Sequence, residues 1–532
     1  MRAERLFRVL GLVDPALVEE ALAVRRRAWR HWAALAACLA LVVSLGWAVT
    51  GGFQGYGGGM PGSTSSGSVT AGASGDSGSS GGEIGGYAAP GENGGADGCV
   101  NFHSYAGPVF PLTTAENPAG LTAERTVTWD FAPGAYPDGE PRQWGAEVTD
   151  AYVLRNGTEA DMTVTALYPF AGSFSELALP AVTVDGEPVE AALYAGPYSG
   201  GFQSTFGAET PDTMNLDTLD SWAEYKALLE SGAYLEQALG AYPVLDMPVT
   251  VYEFSDFSAP HEDYPAATQA VSFDLEESAT KVFTYGFNGG ERDEGFRRYS
   301  YFVPDGMRNE PDLKLLIVLG EDIGSYTLQG YQDGGCDRGE EIEGVSCAVT
   351  RSETTLDAVL DRLCAYYRER YARGRAADQA NAFDKVPFAL YRGAVAELLS
   401  QYGALSGAPV DRYADGRLDD MLAETLSQGR VLYLRFPVTV PAGESVRVEC
   451  AFWKEPSFDF GGSGSEREGL QGYDLVTTLG SGLTFTRQSV ALVNTENVEL
   501  TGQNLDPEGG VAAAELDLAR EHYYLEIRPR EE

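Results

Sequence analysis

Apolar and polar residues follow three different patterns along this chain, and each pattern predicts a different structure. Residues 32–49, WAALAACLALVVSLGWAV, form a run of eighteen residues without a charge. A helix of this length extends about 27 Å and can cross the hydrocarbon core of a bilayer, so the run predicts a transmembrane helix. The alternatives are a cleaved signal peptide and a lipoprotein box ending at Cys38. The long, acid-containing segment before the run and the uncharged residues after Cys38 favour the helix.

Apolar and polar residues alternate with a period of two both before and after residues 351–428, and this alternation predicts β-strands. Residues 148–154 and 162–170 alternate in this way, and Asn156-Gly157 between them predicts a β-hairpin. Asp185-Gly186 predicts a second, tighter hairpin within residues 181–189. Residues 315–319, LLIVL, are apolar throughout and predict a central, buried strand.

A period of about 3.6 residues predicts helices in two places. One is a short insertion near residues 217–240. The other is residues 351–428, where three amphipathic stretches begin near Thr354, Pro387 and Leu418. This mixture predicts the α+β class, as a membrane-anchored, β-sandwich-rich ectodomain with helical insertions.

These patterns divide the chain into six segments. They are a cytosolic arm (1–31), a transmembrane helix (32–49), a Gly/Ser-rich linker (50–98), a β-rich domain with the helical insertion (99–350), a helical segment (351–428) and a C-terminal β-rich domain (429–532), which earlier strands could complete. Nineteen of residues 51–98 are Gly and eight are Ser, so we expect a flexible tether about 40 Å long.

Charge predicts the orientation in the membrane. Residues 1–31 contain seven Arg and four acidic residues, and four of the Arg lie within seven residues of the apolar run. The positive-inside rule therefore predicts a single-pass protein of the cell membrane with a cytosolic N-terminus and an extracellular C-terminal region. The formal net charge of −41 disfavours nucleic acid and anionic lipid surfaces as partners of the ectodomain.

No motif for catalysis or cofactor binding is recognisable in the sequence. HExxH, CxxC and the phosphate-binding GxxxxGK[ST] pattern are absent, so we predict neither catalytic residues nor a cofactor. The acid-rich loops at residues 291–294 and 333–341 carry oxygen ligands suited to calcium, but they lack EF-hand spacing. A solvated acidic surface is the alternative, and the identity of any metal stays open.

Two further groups of residues have two interpretations each. Cys336 and Cys347 flank the second acidic loop and are the candidate disulfide pair, with unpaired thiols as the alternative. Four aromatic residues lie near a Gly-rich stretch, where they either stack on a sugar or pack in a core: Trp453, Phe458, Phe460 and Tyr473.

Two stretches resemble known groups of proteins. The pattern LGLVDPALVEEA, followed by clustered Arg and W-x-x-x-A-A-C-x-A-L-V-V within residues 6–45, resembles uncharacterised single-pass membrane proteins of clostridial-type Gram-positive bacteria. Some of these are similar to anti-sigma-factor-like proteins, which implies that residues 1–31 bind a cytosolic protein. The arm has no zinc-binding His/Cys pair of the kind some anti-sigma factors carry. The stretch Y-x-L-x-N…T-V-x-x-x-Y-P-F resembles extracytoplasmic β-sandwich modules, which implies a scaffold or binding surface.

Together these features predict a non-catalytic, membrane-tethered module that binds or senses an unknown extracellular ligand. Signalling through the cytosolic arm is an extension of this hypothesis. The alternative is a surface hydrolase acting on glycans or cell-wall material, which would need converging carboxylates in a concave site. A structural envelope protein is the third hypothesis.

Overall fold

The computed structural model describes residues 107–530, except residues 137–138, 143, 199–225, 228, 261–266, 304–312, 374–380, 410, 460–467 and 506–512. The predicted arm, transmembrane helix and linker lie outside the described residues. Within the described part, no helix is both long and apolar enough to cross a membrane. All described residues fall within the compact unit Thr70–Glu532.

Strands are the main element of the described chain. They are β1 (Thr113–Thr114), β2 (Leu121–Asp130), β3 (Ala146–Asn156), β4 (Met162–Gly172), β5 (Ala181–Val184), β6 (Glu187–Pro188), β7 (Ala192–Tyr198), β8 (Pro248–Ser258), β9 (Thr268–Asp274), β10 (Thr280–Tyr285), β11 (Gly289–Asp293), β12 (Phe296–Phe302), β13 (Lys314–Gly320), β14 (Tyr326–Tyr331), β15 (Glu341–Ile342), β16 (Ser346–Thr355), β17 (Arg430–Val440), β18 (Ser445–Lys454), β19 (Phe458–Asp459), β20 (Gln471–Val476), β21 (Thr484–Val493), β22 (Val498–Gln503), β23 (Ala513–Glu515) and β24 (His522–Pro529).

Helices are fewer and fall mainly in the segment predicted for them. They are α1 (Ala233–Leu239), α2 (Leu356–Arg373), α3 (Phe388–Gln401), α4 (Asp411–Ala414) and α5 (Leu418–Ser427), with short 3₁₀ turns at Ala382–Asp384 and Thr495–Asn497. The strand-rich α+β class is therefore confirmed.

The first sandwich combines strands from both ends of the described chain. A seven-stranded sheet, in the order β23-β21-β2-β3-β18-β5-β6, shares one core with a four-stranded sheet, in the order β1-β4-β17-β7. Tyr152 and Val448 from the first sheet and Tyr168 and Leu434 from the second lie in that core. A further sheet, β19-β20-β24-β22, packs Tyr473 and Leu525 against the seven-stranded sheet. The segments predicted as separate β-rich domains, 99–350 and 429–532, therefore share sheets.

The predicted hairpin at Asn156-Gly157 is not formed. β3 pairs with β18, whereas β4 pairs with β17, so the chain crosses from one sheet of the sandwich to the other between β3 and β4. The connection from β17 to β18 makes the same crossing alongside it. The Asn156 side chain joins the two connections by donating hydrogen bonds from Nδ2 to the carbonyl oxygens of Ala160 (2.8 Å) and Val440 (3.0 Å). An alternating pattern cannot distinguish this crossing from a hairpin, because both arrangements bury the same alternate side chains of each strand.

The second sandwich is built from residues 248–355. Its sheets have the strand orders β10-β13-β8-β16 and β11-β12-β9-β14-β15. Tyr252 and Leu316 from one sheet pack with Phe273 and Tyr301 from the other. The predicted central strand is confirmed, because β13 pairs on both sides and Ile317 is fully buried.

The helices cover the other face of the sheet that contains β13. Leu360 of α2, Val395 of α3 and Leu422 of α5 pack in one core cluster with Ile317 and with side chains of the first sandwich. The predicted hairpin at Asp185-Gly186 is also confirmed, since β5 and β6 pair across it and both turn residues have positive φ angles of 51° and 83°.

Candidate functional site

The residues that the sequence singles out do not gather in one place. In the acidic loop at 333–341, Asp333 Oδ1 accepts a hydrogen bond from the Gly335 backbone N–H (2.8 Å). In the other loop, Glu291 forms an ion pair with Arg298 of the neighbouring strand (2.5 Å). No group of three or more His, Cys, Asp or Glu side chains in the described ranges is arranged to hold a metal ion.

Cys336 and Cys347 are free thiols. Cys336 approaches Ser300 and packs with Ala270 and Tyr331, whereas Cys347 approaches Tyr301. Ser300 and Tyr301 are consecutive residues of β12 and point to opposite faces of the sheet. The two thiols therefore lie on opposite sides of β12, which explains why the predicted disulfide is not formed.

A fully buried ion pair connects the first sandwich to neighbouring segments. Arg125 Nε donates to Asp150 Oδ1 (2.9 Å), and Arg125 Nη2 donates to Asp150 Oδ2 (2.8 Å). The Tyr152 hydroxyl also donates to Asp150 Oδ2 (2.6 Å), and Arg125 Nη1 donates to the Val476 carbonyl (2.7 Å). Burial opposes the charge of Arg125, but Asp150 outweighs it and raises the arginine pKa. Because its charges are compensated within the protein, we assign this cluster an architectural role.

A second buried cluster contains groups of the kinds used in proton transfer. Asp474 and Ser457 are fully buried, and His522 Nε2 lies 3.0 Å from Asp474 Oδ1. Neither carboxylate oxygen of Asp474 accepts a hydrogen bond of normal geometry from a described residue. Lys454 lies in the same cluster. Burial lowers its pKa to about 8, and Asp474 partly opposes that shift.

Two carboxylates, the half-buried Asp419 of α5 and the buried Glu397 of α3, connect the helices to neighbouring elements. Burial raises the pKa of Asp419 to about 6, although its oxygens accept the Gly286 backbone N–H at 2.9 and 3.0 Å. Burial also raises the pKa of Glu397, which accepts a hydrogen bond from Gln237 Nε2 (2.5 Å). Each carboxylate is thus engaged by a different partner, Asp419 at the end of β10 and Glu397 at α1.

A cavity of about 210 Å³ lies between β17, α1 and the segment after β20. Its lining is mostly apolar and includes Phe110, Leu229, Tyr234, Val431, Tyr433 and Leu479. Ligand pockets typically measure roughly 300–1,000 Å³. The cavity is therefore small for a ligand site, and we do not choose it as the candidate.

The aromatic residues singled out by the sequence separate into core and surface. Tyr473 is fully buried and packs edge-on against Trp129, with ring centroids 5.1 Å apart. Trp453 is half-buried. The side chain of Phe458 and the whole of Phe460 lie outside the described residues. Trp453 therefore remains the aromatic residue available near the surface.

The connection between β2 and β3 adds three residues around Trp453 that the sequence analysis missed. Tyr136 is 46% exposed and Trp144 is 38% exposed. Arg142 stacks its guanidinium over the Tyr136 ring (4.4 Å to the centroid) and over the Trp453 ring (5.0 Å). We call these four side chains the aromatic platform: Tyr136, Arg142, Trp144 and Trp453.

Two glycines hold the connection against the Trp453 indole. A Cβ added to Gly134 or Gly145 would lie 2.2 Å from the nearest ring atom, so a larger residue does not fit at either position. Trp453 Nε1 donates to the Trp144 carbonyl (3.1 Å). The backbone N–H of Arg142 donates to the Gly134 carbonyl (2.8 Å), and Ala135 forms an isolated antiparallel β-bridge with Pro141. The platform is therefore fixed by backbone contacts and not by side-chain packing alone.

The order of residues 136–145 indicates this site, whereas the overall composition of the chain does not. Residues 136–145, YPDGEPRQWG, place a Pro-Asp-Gly turn between two aromatic residues. No protein-family model matches the chain, and no curated protein matches it significantly. The aromatic platform is our candidate functional site because large exposed aromatic groups, held rigidly, mark interaction surfaces.

Proposed function

We propose that the chain is a single-pass membrane protein whose residues 99–532 form a non-catalytic, extracytoplasmic binding or sensing module. The aromatic platform carries the binding part of this proposal. Tyr136 and Trp144 expose their rings to solvent, although a stable monomer gains nothing from exposing two large aromatic groups in one connection. The apolar run at 32–49 and the Gly/Ser-rich linker support presentation of the platform away from the membrane.

The binding role is tested with the full chain in nanodiscs and an isolated bacterial cell-envelope fraction. We expect the wild type to co-sediment with the envelope, and Trp144→Ala and Tyr136→Ala to lose most of this binding. Phe302→Ala is the matched control, since Phe302 is an exposed aromatic residue (47%) on β12. Equal binding by the platform variants and the control would overturn the assignment of the site.

The topology is tested with intact cells that express the full chain with an epitope tag at the N-terminus. We expect an added protease to remove the region after residue 49 and leave a short tagged fragment in the membrane. Complete protection of the region after residue 49 would overturn the proposed orientation.

Signalling through the cytosolic arm is the extension of this proposal. The resemblance of residues 6–45 to anti-sigma-factor-like proteins supports a sigma factor as the partner. We expect the solubilised full chain to co-purify with a sigma factor, and Leu17→Asp with Leu22→Asp to abolish this. Absence of a sigma factor from the wild-type complex would overturn the signalling role and leave the binding role untouched.

The second candidate function is a surface hydrolase acting on glycans or cell-wall material. The observation that favours it is the buried cluster in which Asp474, beside His522, has carboxylate oxygens without a normal hydrogen bond. This candidate predicts that the full chain releases soluble fragments from purified cell wall and that Asp474→Asn stops the release. Equal release by wild type and variant would remove Asp474 from consideration.

A further inference from the structure

The chemistry of the aromatic platform indicates what kind of ligand it binds. A ligand for this surface needs a flat apolar face for the exposed rings of Tyr136 and Trp144. It also needs polar groups beside that face, because the guanidinium of Arg142 lies over the rings of Tyr136 and Trp453. Of the Arg142 N–H groups, Nε donates to the Ala135 carbonyl (3.3 Å), while Nη1 and Nη2 donate to no described residue. Among the described residues these two donors have no acceptor, so a ligand can supply one.

The net negative charge of the chain excludes further classes of ligand. With 78 acidic and 37 basic residues, the chain repels polyanions such as nucleic acids and anionic polymers at long range. A single arginine that is already stacked between two rings does not reverse this field. A neutral ligand with many hydroxyl groups meets the requirements for both shape and charge.

We propose that the aromatic platform binds a neutral oligosaccharide. A pyranose ring presents C–H groups on one face, which pack on an aromatic ring, and hydroxyls at its rim, which accept hydrogen bonds from Arg142. This inference rests on the proposed binding function and names the ligand class of the same site. The two contacts of the Arg142 guanidinium and the close approach of Gly134 and Gly145 fix the platform before binding, which limits the entropy lost when a sugar is bound.

The test uses the full chain in nanodiscs, since sugar-headed detergents would compete. Chitotetraose and cellotetraose are the neutral saccharide probes, and octaproline is the peptide probe, because proline-rich peptides also bind exposed aromatic residues. Tryptophan fluorescence reports binding, and saturation-transfer NMR reports which saccharide protons touch the protein. We expect at least one saccharide to quench the fluorescence and to show the strongest transfer at its ring C–H protons.

Variants link the binding to the platform. We expect Tyr136→Ala and Trp144→Ala each to weaken saccharide binding about tenfold or more. Arg142→Lys keeps the charge and removes the planar stack, so it should also weaken binding. Phe302→Ala should bind like the wild type. Because a variant could lose binding by unfolding, near-ultraviolet circular dichroism must match the wild type for each one.

The outcomes separate this inference from the proposed function. If the platform variants lose envelope binding but neither saccharide binds nor competes, the oligosaccharide inference is overturned and the binding function stands. Octaproline binding in place of the saccharides would likewise overturn the ligand class alone. If the wild type binds neither the envelope nor any probe, both proposals fail.

Discussion

Arg125 and Asp150 form a two-bond ion pair in which neither side chain is exposed to solvent. The pair joins β2 to β3, and Arg125 continues to the carbonyl groups of Val476 and Phe110. Buried ion pairs add little net stability compared with apolar residues, but removal of one partner leaves the other charge buried and uncompensated. The pair therefore fixes how these segments meet.

The first prediction concerns this pair. Arg125→Met should lower the free energy of unfolding by about 3–5 kcal/mol, because Asp150 keeps a buried charge without its cation. Urea-induced unfolding of the full chain measures the change. Arg447→Met is the control, because Arg447 pairs with Glu449 at the surface. This variant should lower the free energy of unfolding by less than about 1 kcal/mol. Similar losses for the two variants would contradict the architectural role.

The second prediction concerns the pH dependence of stability at Asp419. Its pKa of about 6 in the folded protein lies above the ordinary value of 3.8, so the folded state binds the proton more tightly. The stability from this proton is fully present below about pH 4 and is lost as the pH rises through 6. Asp419→Asn should remove up to about 3 kcal/mol of this decline.

Unfolding curves at several pH values between 4 and 7 test this prediction. Asp420→Asn is the control, because Asp420 is the next residue on α5 and is 38% exposed. A wild-type decline that Asp419→Asn leaves unchanged would show that other groups cause it.

The third prediction concerns Lys454. Burial lowers its pKa from 10.5 to about 8, so the unfolded state binds the proton more tightly between these values. The stability of the wild type should therefore rise with pH across this window. Lys454→Met removes the buried charge. The difference in the free energy of unfolding between this variant and the wild type should therefore be about 3 kcal/mol more favourable to the variant at pH 7 than at pH 11.

The control for Lys454 is Lys281→Met, which removes an ammonium group that donates to the Ala404 carbonyl at the surface. Urea-induced unfolding at pH 7, 9 and 11 gives the comparison. A difference between wild type and Lys454→Met that stays constant with pH would contradict the effect of burial.

The fourth prediction concerns Gly145, which has a φ angle of 117° and touches Trp453. Gly145→Ala should destabilise the protein by about 2–5 kcal/mol, because backbone strain and overpacking act together. It should also change the tryptophan emission. Gly139→Ala shares the positive φ angle (90°) but meets no atom within 4 Å, so it isolates the backbone strain. Equal losses would show that contact with the ring is unimportant.

The sequence by itself determined the local elements of this protein. The period of two residues predicted β3 and β4, the apolar residues 315–319 predicted β13 as a central strand, and Asp185-Gly186 predicted the turn between β5 and β6. Amphipathic stretches predicted the helices α2, α3 and α5. These features depend on each residue and its near neighbours, which a linear pattern records directly.

Only the tertiary structure decided which strands meet. The sequence pattern predicts that β3 and β4 form a hairpin, yet they pair with β18 and β17, which lie about 260 to 310 residues later. Cys336 and Cys347 look close in sequence, yet they lie on opposite faces of β12. Tyr136, Arg142 and Trp144 become a platform because Trp453, from a distant strand, fits between Gly134 and Gly145. The physical reason is the same in each case. The local pattern of apolar residues determines which face of a strand is buried, whereas backbone hydrogen bonds and packing between distant segments determine which strands pair.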